Sequence, residues 1–136
     1  MYRQDLLLVE DTPEDLDLFL EVLSQRPCTV CTARSAAEAL ERLRGAGPLP
    51  AAILLDLKQG GLDALGRIRR EIPASRVPVV VLTGSRGGAA AGTGSAQRAN
   101  SLVEKPADRA ALAEVVGLIA DYWLKLNIAP GSLVTF

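Results

Sequence analysis

Ala52-Ile-Leu-Leu-Asp56 decides how the rest of the chain is read. Four apolar residues in unbroken succession, entered through Pro48-Leu-Pro50 and left through Lys58-Gln-Gly-Gly61, predict a strand buried on both faces that ends at a carboxylate. Upstream, Leu6-Leu-Leu-Val9 makes a second such run and ends at Glu10-Asp11; downstream, Val77-Pro-Val-Val-Val-Leu82 makes a third, rich in β-branched residues, and ends at Thr83-Gly84. Cys28–Thr32 and Ser101–Glu104 complete the set, the last followed by Lys105-Pro106. That predicts five strands.

Helical spacing fills the intervals. Leu16, Phe19, Leu20 and Leu23 mark a helix over Pro13–Ser24, with a proline in its first turn and Arg26-Pro27 beyond its end. Ser35, with Glu38 three residues on, gives a capping box for a helix carrying Ala36, Ala39, Leu40 and Leu43. Leu62, Leu65, Ile68 and Ile72 mark a third helix, stopped by Pro73. Residues Gly84 to Gly94 hold five glycines and three alanines, so the fourth helix expected there is weak. Asp108 caps a last helix bearing Leu112, Val115, Val116, Ile119 and Trp123. Strands alternating with helices imply right-handed crossovers and an α/β fold, a doubly wound parallel sheet covered on both faces.

The totals narrow the function. At 136 residues the chain fits one domain, and 49% apolar with 23% charged residues is ordinary for a globular protein. A formal charge of −1 offers no broad attraction for nucleic acid or an anionic membrane. No apolar run approaches the roughly 20 residues of a bilayer span, and with no signal peptide a cytoplasmic location is expected. Cys28 and Cys31 have the spacing of redox and zinc motifs, yet histidine is absent and their neighbours are strand-like, so two ordinary thiols are expected.

In an open parallel sheet, ligands bind beyond the carboxyl ends of the strands. Glu10, Asp11, Asp56, Thr83 and Lys105 all belong to that edge. Carboxylates packed together repel unless a cation intervenes, and hard oxygen ligands with room for water and phosphate describe Mg²⁺. Beside the metal, Asp56 can attack phosphorus while Lys105 neutralises the phosphoryl oxygens and Thr83 donates its hydroxyl.

On these residues, from Leu6 to about Leu126, the sequence resembles the receiver domain of bacterial response regulators. Leu-Leu-Leu-Val-Glu10-Asp11 is similar to the family's first strand and acidic pair, Ile-Leu-Leu-Asp56 to its phosphoacceptor strand, Val-Val-Leu-Thr83-Gly to its switch hydroxyl, and Val-Glu-Lys105-Pro106 to its lysine. Separations of 45, 27 and 22 residues between Asp11, Asp56, Thr83 and Lys105 fit that family. The resemblance implies a flavodoxin-like sheet of order 2-1-3-4-5 with five helices, a receiver domain over residues 1–126 and a C-terminal extension over 127–136. It implies Mg²⁺ bound by Asp11 and Asp56, by Glu10 through water and by the Lys58 backbone carbonyl. The donor would be a phosphohistidine on a sensor histidine kinase, and the protein a phosphoacceptor rather than an enzyme.

Glu-Asp-Thr-Pro13-Glu-Asp15 and Tyr122-Trp-Leu-Lys-Leu-Asn127 resemble more narrowly the single-domain regulators paired with phytochrome-type kinases, which implies a homodimer through the last helix and the extension. The apolar stripe running on through Tyr122, Trp123 and Leu126 independently suggests burial against a second copy. Four departures stand out: Gly60 in place of the family's proline, Lys58 two residues after the acceptor, Leu102 in place of the aromatic switch, and the glycine-rich 84–94 stretch. They leave open a receiver-like docking module that works without phosphorylation. A phosphatase on the same fold would need an aspartate where Lys58 stands.

Overall fold

The computed structural model describes residues 5–45, 48–58, 60–73, 76–84 and 99–126. Five parallel strands form one sheet, β1 (Leu6–Glu10), β2 (Val30–Ala33), β3 (Ala52–Asp56), β4 (Val79–Thr83) and β5 (Ser101–Glu104), in the order β2-β1-β3-β4-β5. Among the described residues four α-helices connect and cover them: α1 (Pro13–Ser24), α2 (Ala36–Leu43), α3 (Gly61–Glu71) and α4 (Arg109–Asp121), the last continued by a π-helical turn over Tyr122–Leu126. The flavodoxin-like order expected above is the observed one. A further helix, expected over 84–94, lies outside the described residues except for Gly84, as does the 127–136 extension.

Alternation along the strands builds two cores. Leu7, Val9, Ile53, Leu55, Val79 and Val81 face α2 and α3, whereas Leu6, Leu8, Leu54, Val80 and Leu82 face α1 and α4. Each central strand therefore needs apolar residues at every position, which is why these segments read as unbroken runs. The same alternation separates the cysteines. Cys31 packs with the α2–α3 core and Cys28 with the α1–α4 core, and both are free thiols.

Two strands begin later than their apolar runs. Thr29 is engaged by Asp5, whose carboxylate accepts from Thr29 N at 3.0 Å, and pairing of β2 with β1 starts at Leu6↔Val30. In β4, Pro78 has no N–H to donate, though its carbonyl accepts from Ile53 N at 2.9 Å. Caps follow the sequence closely. Ser35 Oγ accepts from Glu38 N at 3.2 Å and Asp108 Oδ2 from Ala111 N at 2.9 Å, while the Glu38 carboxylate reaches the amide of Arg34 rather than that of Ser35.

Gly60 begins α3 with φ 75°, in the left-handed region, and its carbonyl accepts the first helical bond from Ala64 N at 2.9 Å. Proline, fixed near φ −65°, cannot adopt that conformation. Glycine here is thus a requirement of the turn as well as a departure from the family pattern.

Candidate functional site

Glu10 and Asp56 are register partners at the carboxyl ends of adjacent strands. Val9 and Leu55 face the α2–α3 layer, so the next residue of each strand turns toward α1. Both carboxylates are almost wholly buried, at 1% and 3% exposure. Burial, reinforced by the adjoining Asp56 carboxylate, pushes the Glu10 carboxyl up to about 9, against the Thr12 N–H and the Lys105 charge. Thr12 N donates to Glu10 Oε2 at 3.1 Å, leaving Oε1 without a partner.

The cation at this edge is Lys105, carried just beyond β5 and fixed by its amide, which donates to the Thr83 carbonyl. Its Nζ lies 2.8 Å from Asp56 Oδ2, an ion pair without the angle of a hydrogen bond, and 2.6 Å from Asp15 Oδ2. Burial works against its charge, but the Asp15 and Asp56 contacts outweigh burial and raise its pKa. For Asp15 burial likewise opposes ionisation, and Lys105 and Arg109 overcome it to hold the carboxyl below its usual value. Thr83 Oγ1, at the end of β4, is buried with no hydrogen-bond partner.

The structure thus brings together Glu10, Asp56 and Lys105, with Thr83 at the end of the neighbouring strand. Asp11 is exposed, and both its carboxylate oxygens accept from the backbone N–H of Lys58, at 3.2 and 3.3 Å. The bond ties the loop after β1 to the loop after β3. Asp15 is the residue that sequence reasoning did not single out: Glu10, Asp15 and Asp56 each offer an oxygen within 4.8 Å of the others. The only signal was its place one helical turn beyond Asp11, where an acidic residue is already accounted for by the helix dipole.

This donor set fits a divalent cation. Three hard oxygens converge, two buried oxygens (Glu10 Oε1 and Asp56 Oδ2) lack hydrogen-bond donors, and burial, reinforced by Asp56, favours the protonated form of Glu10. Among the described residues no helix is long and apolar enough to cross a membrane.

The response regulator receiver domain model matches residues 6–117. Among solved structures, a phosphorylated cyanobacterial phytochrome response regulator, RcpA, is 31% identical with a TM-score of 0.82, over 96% of this chain and 100% of that one. The Mn²⁺-bound form of the response regulator Rcp1 is 29% identical with a TM-score of 0.79, over 95% of this chain and 100% of that one. The receiver domain of NtrX from Brucella abortus is 29% identical with a TM-score of 0.70, covering 90% of this chain and 100% of that one. No curated protein matches the chain.

Proposed function

The chain belongs to the response regulator receiver domain family, and from that premise we propose that it is a phosphoryl-accepting signalling protein whose acceptor is Asp56 and whose cofactor is Mg²⁺. The observation that carries this reading is the buried Asp56 carboxylate at a strand end with the Lys105 ammonium 2.8 Å away. Such an oxygen, desolvated and beside a fixed cation, is placed to attack phosphorus.

An Asp56 oxygen forms the new O–P bond as the N–P bond of a donor phosphohistidine breaks, and the bonding pair leaves with the imidazole. Lys105 meets the phosphoryl oxygens with its charge, and Thr83 Oγ1, without a partner, is available to donate to one of them. Bound Mg²⁺ supplies further neutralisation of the phosphoryl oxygens and of the crowded carboxylates. Glu10 and Asp56, each with a buried oxygen that accepts no hydrogen bond, are the side chains that would hold it, and the nearby Asp15 is already engaged by Lys105 and Arg109. By the resemblance, Asp11 and the Lys58 carbonyl would belong to the same ligand set, with Asp11 now accepting from the Lys58 N–H. The transfer and later hydrolysis are catalysed on the protein's own side chain, so it is a phosphoacceptor rather than an enzyme acting on a separate substrate.

The partner we propose is a sensor histidine kinase of the phytochrome type, on the likeness to RcpA over nearly the whole of both chains. On this reading the protein works in the cytoplasm, where it meets the kinase's phosphohistidine, and with a charge of −1 it has no nucleic-acid role. A homodimer through the last helix is supported by Leu118, Tyr122 and Leu126, which follow one another at helical spacing and are 61%, 48% and 73% exposed.

Incubation with acetyl phosphate and Mg²⁺, followed by intact mass measurement, tests the central step. A phosphate-sized gain is expected in the wild type and none in Asp56→Asn. No gain in either protein would leave the phosphorylation-independent docking reading in its place.

A further inference from the structure

The Lys105 ammonium is shared. Its contact with Asp15, 2.6 Å, is shorter than its contact with the acceptor Asp56, 2.8 Å. Asp15 has no freedom to swing away, because its other oxygen accepts from Arg109 Nη1 at 3.2 Å while Nη2 of the same guanidinium donates to the Glu14 carbonyl at 3.0 Å. Glu14 and Asp15 lie in the first turn of α1, and Arg109 is the first residue of α4. One guanidinium therefore joins the starts of two helices and fixes the carboxylate that competes for the site's cation.

We propose that Asp15, anchored by Arg109, is a positioning residue that holds Lys105 partly away from the acceptor and so weakens the site's grip on a phosphoryl group. The proposal rests on the reading of Asp56 as that acceptor. An ammonium has three donors, and a charge-assisted bond to a fixed carboxylate commits one of them. Asp15 also adds a negative charge next to the place where phosphoryl oxygens would arrive.

Two substitutions then act in opposite directions. Asp15→Asn keeps the shape of the side chain and removes its charge, giving Lys105 over to the phosphoryl oxygens. Arg109→Gln leaves Asp15 without its second cation, so that Asp15 draws Lys105 more strongly. The Arg109 side chain is 56% exposed, and its replacement leaves both cores intact.

Beryllofluoride, which imitates the aspartyl phosphate, is the probe. Its affinity is measured by fluorine NMR on the full chain, at Mg²⁺ concentrations shown by titration to saturate each protein. Asp15→Asn is expected to bind it about tenfold more tightly, the worth of one charge-assisted hydrogen bond, and Arg109→Gln a few-fold more weakly than wild type. A merely structural role would shift both variants the same way. The lysine ammonium spectrum gives a second readout, since Lys58, Lys105 and Lys125 are the only lysines. The Lys105 signal, sheltered by two carboxylates in the metal-free wild type, should broaden through exchange with water in Asp15→Asn. Equal affinities, shifts of the same sign, or an unaltered Lys105 signal would each overturn the proposal alone. Failure of the wild type to take up beryllofluoride would overturn the acceptor reading, and this proposal with it.

Discussion

The buried Glu10 carboxyl makes the metal-free site sensitive to pH. In the unfolded chain it ionises near 4.5, and in the folded chain near 9. Between those values the folded state keeps a proton that the unfolded state has released, so stability is full below the lower value and is lost as pH rises toward the upper one. The steepest loss from this group is about 1.4 kcal/mol per pH unit. Urea unfolding in the presence of a chelator should show stability falling from about pH 6 to about pH 8, and Glu10→Gln should flatten the slope. Added Mg²⁺ should flatten it too, by favouring the deprotonated carboxylate. At this scale Glu10, Asp56 and Lys105 were legible because each ends a strand or follows one directly. Asp15 was not, for a local explanation sufficed for it, and the Asp11 partner was not, because it is a backbone amide that no side-chain pattern announces.

At the scale of elements, Gly60 and Gly117 carry consequences that the apolar pattern does not register. Gly60→Ala puts a Cβ into open space but keeps φ at 75°, so it should lower stability by about 1 kcal/mol through backbone strain alone. Gly60→Pro should cost considerably more, because α3 loses its starting turn; denaturant midpoints of the two variants would show the order. Gly117 makes room for Arg26, which binds Asp121 through Nε at 2.8 Å and Nη2 at 3.2 Å and so ties the end of α1 to the end of α4. A Cβ there would lie 2.6 Å from Arg26 Nη2. Alanine should favour a helix by about 1 kcal/mol over glycine. That gain is expected in an Arg26→Ala background and expected to be offset when Arg26 must move, a non-additivity that a double-mutant cycle measures directly. Helix ends were readable from Pro13, Ser35, Pro73 and Asp108. Strand starts at 30 and 79 were not, since side-chain interception by Asp5 and the missing donor of Pro78 interrupt pairing without altering hydrophobicity.

Across the whole molecule, the two-layer architecture follows from the unbroken apolar runs, and the strand order follows from the family resemblance rather than from hydrophobic periodicity. The runs say that both faces are covered but not which strand neighbours which. The surface stripe of Leu118, Tyr122 and Leu126 leads to an assembly prediction. Light scattering at high micromolar concentration should give twice the chain mass, and Leu126→Asp should bring it down to one; a wild type of single-chain mass would refute the dimer.

The placement of the two thiols beneath different helical layers has a practical consequence. Neither can reach the other through the sheet, so oxidation has no internal bridge to close and each sulfur reacts on its own account. Both thiols are half-buried, so under native conditions the alkylation rate of Cys31 in a Cys28→Ser variant would time solvent access on the α2–α3 side of the sheet, and that of Cys28 in a Cys31→Ser variant access on the α1–α4 side. With these paired clocks, one could ask whether charging Asp56 quiets one side of the molecule before the other.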